Sequence, residues 1–143
     1  MPDIRPSVSS NCDFAVGTVW GTLSGYALVF ALDGNLELQS PTRLRLWESG
    51  TRGCEGRILS MQIDGNLVIY DASRRNALWA TGTTGHPGAF LSVQEDGNVV
   101  IYAKSSVPIW ATGTASEASV GRPPEIEIPD KPDATVLPMR LAR

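Results

Sequence analysis

Residues 62–70 read QIDGNLVIY and residues 94–102 read QEDGNVVIY, with seven of nine letters in common at an offset of 32. A third version, ALDGNLELQ at 31–39, lies 31 residues upstream and keeps Asp33, Gly34, Asn35 and Leu36. A second shared piece follows each: WESGT from Trp47, WATGT from Trp79 and WATGT from Trp110, lying 12, 13 and 12 residues beyond the Asn of the first motif. Two motifs in register three times define units of about 32 residues, spanning about 20–51, 52–83 and 84–114.

Asp-Gly between two apolar runs is a hairpin signal. On the first arm of the middle unit, Leu59, Met61 and Ile63 alternate with Ser60 and Gln62. On the second, Leu67 and Ile69 alternate with Asn66, Val68 and Tyr70. A period of two marks half-buried strands. The third unit repeats it with Leu91, Val93, Val99 and Ile101, and the first with Leu28, Phe30, Leu32, Leu36 and Leu38. No window carries a helical period. A third short strand should hold each Trp, and the Gly-Thr after it should turn the chain into the next unit. Three small antiparallel sheets, each apolar on one face, share one core most economically as a prism with pseudo-threefold symmetry. Trp47, Trp79 and Trp110 then take equivalent inner positions, where core packing is preferred over stacking on a sugar.

Composition agrees with an all-β chain of one domain's length. The 143 residues are 42% hydrophobic and 19% charged, with 14 Gly, 10 Pro and 4 Trp. A net charge of −3 argues against a general nucleic-acid binder. No stretch approaches a membrane span. The N-terminus shows no continuous apolar run, so no secretory signal is visible, which implies the cytoplasm or a non-standard export route. Cys12 and Cys54 lack CxxC spacing, and two reduced thiols are favoured over a bridge. His86 is the single histidine, so a nucleophilic triad or a His-based metal site has little material. No metal and no cofactor is implied, and DGN lacks the further ligands of a calcium loop.

The outward positions are the informative ones. Gln62, Asp64, Asn66, Val68 and Tyr70 are spaced by two, as are Gln94, Asp96, Asn98, Val100 and Tyr102. An accepting carboxylate, two amides that donate and accept, and a phenol suit adjacent hydroxyls on a ring. The Val methyls offer a small surface to ring C–H groups. Asp, Gly and Asn are also ordinary turn residues, and Val and Tyr ordinary strand residues. Turn chemistry does not require the Gln or the Tyr, however. In the first unit the turn letters remain while Gln, Val and Tyr become Ala31, Glu37 and Gln39, so fold and site separate there.

QxDxNxVxY repeated at this period and followed by WATGT resembles the monocot mannose-binding, or bulb-type, lectin family, over about residues 15–114. The resemblance implies the β-prism II fold, three four-stranded antiparallel sheets about a pseudo-threefold axis, and metal-free mannose binding. It implies that Asp64 and Asn66, like Asp96 and Asn98, hold the axial 2-hydroxyl. Gln62 and Gln94 would reach the 3-hydroxyl, Tyr70 and Tyr102 the 4-hydroxyl, and Val68 and Val100 the ring carbons. Asp33 and Asn35 are what remains of a degenerate third site. Plant members usually carry a Cys within the first DxN turn, where this chain has Gly34. With ten Arg against two Lys, that departure points to a microbial member.

The resemblance also implies a homodimer in which the last strand, 107–112 with Trp110, crosses into the partner's sheet. Such an exchange would multiply weak sites. Residues 115–143 hold half of the prolines and form an appendage to a lectin domain of 1–114. That tail is expected to clasp the dimer. Two other readings use the same prism: a protein-interaction module, or the targeting domain of a toxin with the tail as attachment. An enzyme is the least favoured class, because the carboxylates of interest fall at repeated turn positions.

Overall fold

The computed structural model describes residues 7–115. Twelve strands form three antiparallel sheets of four. Unit one contributes β4 (Ala27–Phe30), β5 (Leu36–Gln39) and β6 (Arg45–Glu48). Unit two contributes β7 (Gly56–Met61), β8 (Leu67–Asp71) and β9 (Ala77–Ala80). Unit three contributes β10 (Phe90–Val93), β11 (Val99–Tyr102) and β12 (Pro108–Ala111). The fourth strand of every sheet comes from the N-terminal segment, which carries no repeat letters. Its strands β1 (Ser7–Val8), β2 (Cys12–Ala15) and β3 (Val19–Gly21) pair with β10, β7 and β4 respectively. One short thread therefore stitches all three faces together. Among the described residues there is no helix long and apolar enough to cross a membrane.

The inward alternation produces the core. Leu28, Phe30, Leu36 and Leu38 of unit one are buried, as are Leu59, Met61, Leu67 and Ile69 of unit two and Leu91, Val93, Val99 and Ile101 of unit three. Each such side chain removed from water stabilises the fold by about 1.5–3 kcal/mol. Two expected members are not inside: Leu32 is 76% exposed and Ile63 is 66% exposed. Both follow the end of their strand, β4 and β7, and sit in the turn, where period-two alternation no longer applies. Unit three has Glu95 at the same place.

Trp47, Trp79 and Trp110 meet edge-on around the axis, with ring centroids 5.6, 5.6 and 6.0 Å apart and interplanar angles of 66°, 80° and 77°. They are half-buried against the core, the packing role expected of them. Edge-to-face pairs of this kind add about 0.5–1.5 kcal/mol each beyond area burial. Trp20 is buried and packs edge-on to Phe14, at 4.9 Å. Cys12 and Cys54 are free thiols.

Each DGN turn also locks onto the unit that follows it. Gly34, Gly65 and Gly97 have φ of 89°, 95° and 90°, which favours glycine. A Cβ on Gly34 would lie 2.9 Å from the backbone N of Gly56, on Gly65 it would strike the His86 carbonyl, and on Gly97 it would come 2.6 Å from the Tyr26 ring. The contacts run from unit one to two, two to three, and three back to one.

Candidate functional site

The outer face of each sheet is organised by the Asn of its turn. Asn66 Oδ1 accepts hydrogen bonds from the Thr81 hydroxyl (3.2 Å) and from the N–H groups of Gly82 (2.9 Å) and Thr83 (3.1 Å). Asn98 Oδ1 accepts from Thr112, Gly113 and Thr114 at 3.1, 3.0 and 3.2 Å. Asn35 Oδ1 accepts from Ser49, Gly50 and Thr51 at 3.2, 3.0 and 3.0 Å. The DGN and WxxGT motifs are thus two halves of one device. The Thr hydroxyl closes it, donating to Gly34, Gly65 or Gly97 carbonyl oxygen at 2.6–2.7 Å. This scaffold role of Asn was not legible in the letters alone. The near-constant Asn-to-Trp spacing, kept even in the degenerate unit, was its signal.

With Oδ1 spent, the amide nitrogen is what Asn can offer a ligand. In units two and three, Nδ2 of Asn66 and of Asn98 makes no hydrogen bond to another described residue. Beside it, Asp64 Oδ1 accepts the Asn66 N–H and Asp96 Oδ1 the Asn98 N–H, both at 2.9 Å. These short bonds fix the carboxylate's orientation. Gln62 Nε2 donates to the Tyr70 hydroxyl, and Gln94 Nε2 donates to the Tyr102 hydroxyl at 2.6 Å. The pairing leaves the Tyr70 phenol hydrogen to be donated elsewhere.

A β-bulge sets the Tyr position. Pairing slips between Ile69 and Tyr70 and between Ile101 and Tyr102, and at the matching place in unit one between Leu38 and Gln39. Such bulges re-aim a side chain near a site. Val68 and Val100 lie on the outer face by alternation but are only 2% and 4% exposed. They are the floor of the site, lying between β-partners Ser60 and Ala80, and Ser92 and Ala111, and do not stand clear as ring-contacting posts.

Unit one is built differently. Glu37 replaces the floor Val, and Asn35 Nδ2 donates to Glu37 Oε2 (3.0 Å) and to Glu48 Oε1 (2.8 Å). Arg52 Nε lies 3.2 Å from Asp33 Oδ2 and its terminal nitrogen 3.9 Å from Glu37 Oε2. Arg45 pairs with Glu48 at 3.6 Å. Asp33 and Asn35 have the site geometry, but their ligand-facing atoms are bound to protein. Among the described residues no group of three or more His, Cys, Asp or Glu is placed to hold a metal ion.

These features, three sheets around an axis with outward amide–carboxylate–phenol sites, define a carbohydrate-binding lectin of the β-prism II fold. No family model and no curated protein sequence matches the chain. Solved structures do. The monomeric monocot mannose-binding lectins of Gastrodia elata are 37% identical, with a TM-score of 0.71 over 78% of this chain and 99% of theirs. A Marasmius oreades lectin is 30% identical, with a TM-score of 0.70 over 77% of this chain and 92% of that one. The mannose-specific agglutinin of snowdrop, Galanthus nivalis, solved with methyl-α-D-mannoside, is 32% identical, with a TM-score of 0.64 over 78% of this chain and 99% of that one. The chain belongs to the monocot mannose-binding, bulb-type lectin family. Its neighbours are lectins, in keeping with a binding protein and not an enzyme.

Proposed function

We propose that the chain binds mannose and α-mannosides at two sites, Gln62–Asp64–Asn66–Val68–Tyr70 and Gln94–Asp96–Asn98–Val100–Tyr102. The observation that carries this reading is the contrast at Asn Nδ2. It is committed to glutamates in unit one and unpartnered by described residues in units two and three, beside an oriented carboxylate. An axial 2-hydroxyl donates to the Asp carboxylate and accepts from Asn Nδ2, and the 4-hydroxyl accepts from Tyr. Glucose, with its 2-hydroxyl equatorial, leaves that pairing incomplete, at a cost of about 1–3 kcal/mol. Each site makes a handful of hydrogen bonds against the entropy of capturing a small ligand, so affinity is roughly millimolar, near −4 kcal/mol.

Useful avidity then needs several sites on one particle. A homodimer formed by exchange of residues 107–112 would give four. Within one chain β12 pairs with β11, and Trp110 completes the Trp cluster. A partner's identical strand would make the same contacts, so exchange needs no new interface chemistry. The division into a lectin domain of 1–114 and an appendage of 115–143 accompanies this reading. The proposed clasping of the dimer by that tail lies outside the described residues. A microbial source rests on the Gly34 departure and the Arg excess alone.

The test is calorimetric titration with methyl α-mannoside, glucose and galactose. Mannoside-selective binding that disappears in Asp64→Ala plus Asp96→Ala, with the circular dichroism of the fold retained, supports the lectin. A silent titration beside binding to a protein partner would favour the interaction or toxin-targeting module instead.

A further inference from the structure

The phenols of the two complete sites are held by different partners. Tyr102 lies beside its β-partner Phe90, and the two rings stack with centroids 5.5 Å apart and planes 27° apart. In unit two the same partner position is Ile58, and on its other side Tyr70 pairs with Ala77, so neither strand neighbour is aromatic. A cation stands in for the missing ring. The Arg74 guanidinium lies over the Tyr70 ring, 5.2 Å from its centre, inside the roughly 6 Å reach of a cation–π contact.

The turn after β8 is built to present that cation. Asp71 accepts hydrogen bonds from the Ser73 N–H (3.1 Å), the Ser73 hydroxyl (2.7 Å) and Asn76 Nδ2 (2.5 Å). Arg74 follows at a left-handed φ of 62°, with its N–H donated to the Asp71 carbonyl at 3.0 Å. Arg74 Nη1 then donates to Asp13 Oδ2 at 2.5 Å, which ties it to β2. In unit three the counterpart of Arg74 is Ser106, with φ of 73° and its N–H donated to the Ala103 carbonyl. The counterpart of Asp13, which pairs with Ser60, is Ser7, which pairs with Ser92. Unit two alone therefore has this ion pair. Its side chains are 46% and 50% exposed, and pairs so exposed add little to stability. What the tether does is fix a charge over one ring.

We infer that Arg74, tethered by Asp13, is a positioning residue for the unit-two sugar site, acting through the Tyr70 hydroxyl on the 4-hydroxyl of mannose; the inference rests on the mannose reading of that site. A positive charge over the ring draws electron density from the phenol and makes its O–H a better donor. Gln62 Nε2 donates to the same phenol oxygen and polarises the O–H in the same direction. The sugar's 4-hydroxyl accepts that hydrogen. Arg74 acts on the sugar without touching it, and the chain of influence runs from Asp13 through Arg74 and Tyr70 to one hydroxyl group.

NMR titration of the full chain separates this role from a structural one. In the Asp96→Ala protein unit two is alone, and it is titrated with methyl α-mannoside and with methyl 4-deoxy-α-mannoside, which lacks the group that Tyr70 serves. Arg74→Ser, which installs the unit-three residue, should weaken methyl α-mannoside roughly two- to fivefold, the worth of an exposed cation–π contact. The 4-deoxy sugar should bind as before. Asp13→Ser should act in the same way, because it releases the tether. With Tyr70→Phe in place, Arg74→Ser should cost nothing further. In the Asp64→Ala protein, where unit three is alone, Arg74→Ser should leave the affinity unchanged. An equal loss for both sugars, or a loss at unit three, makes Arg74 a support of the fold and overturns the inference. No loss for either sugar overturns it as well, and in each of these cases the mannose reading stands. If unit two alone binds no methyl α-mannoside, the inference and the mannose reading of that site fall together.

Discussion

Asn35 Nδ2 donates to Glu37 Oε2 at 3.0 Å, across the spot where the other two units have a nearly buried Val. The amide nitrogen that would face a ligand is tied to its own sheet. Arg52 holds both Asp33 and Glu37, so the first unit's face is sealed by its own charges. Reopening it requires removing the plug and restoring the partners. The variant Ala31→Gln, Glu37→Val, Gln39→Tyr, Glu48→Ala, Arg52→Ala, which also frees Asn35 Nδ2 from Glu48, should raise the calorimetric stoichiometry of methyl α-mannoside from two to three per chain. A stoichiometry that stays at two would show that the plug is not what silences the unit.

Asn66 and Asp64 are neighbours in the site but differ in what they hold up. Removing the Asn66 amide oxygen leaves the N–H groups of Gly82 and Thr83 without their acceptor, and Thr83 is buried. Asn66→Ala should therefore cost about 2 kcal/mol of stability as well as the unit-two site. Asp64→Ala should lose sugar with a much smaller change. Urea unfolding of both variants, followed by tryptophan fluorescence, checks the difference.

The Trp cluster is one contact shared by all three units. Trp79→Ala deletes two of its three ring pairs and opens a void beside the core. The expected loss is about 3–5 kcal/mol, in a single cooperative transition. Trp79→Phe keeps an aromatic edge and should cost less. Separate transitions in denaturant would show that the units unfold independently.

Acid should weaken one inter-unit bond selectively. The N–H groups of Leu23 (3.0 Å) and Ser24 (2.7 Å) donate to the Glu95 carboxylate, whose pKa they lower. Asp71 is lowered to about 2, chiefly by the Asn76 amide and the Ser73 hydroxyl. Both folded values lie below the unfolded ones. Their stabilisation is therefore complete above the unfolded carboxylate range and lost as pH falls through the folded values. For Asp71 that window runs from 3.8 down to about 2. Glu95→Gln should flatten the fall in melting temperature below pH 5 without altering behaviour at pH 7 to 8; an unchanged acid limb would assign the fall to other groups.

Much of the prism is legible in the sequence because burial repeats. Leu59, Met61, Leu67 and Ile69 alternate as written and end in the core, and the three Trp land on the axis. Ile63 and Leu32 mislead because hydrophobicity continues one step past the strand, where a turn has already redirected the chain. Strands β1 to β3 left no signal, being two to four residues long and free of repeat letters. At the sites, residue types mark who is present but not which atom is spent. The bond count at Asn66 Oδ1 becomes visible when the WATGT turn is seen folded back on it.

The N-terminal thread has a consequence for how the protein is made. Strand β3 finds β4 within a few residues, but β2 must wait for Ile58–Met61 and β1 for Leu91 and Ser92. On a ribosome, β1 emerges before β2 and β3 but is the last of the three to find its partner. Pairings between distant parts of a chain are slow to form. A nascent chain halted after its second unit would carry an idle β1 and a sheet edge open to neighbours. Translation must therefore pass β10 in the third unit before β1 can be paired.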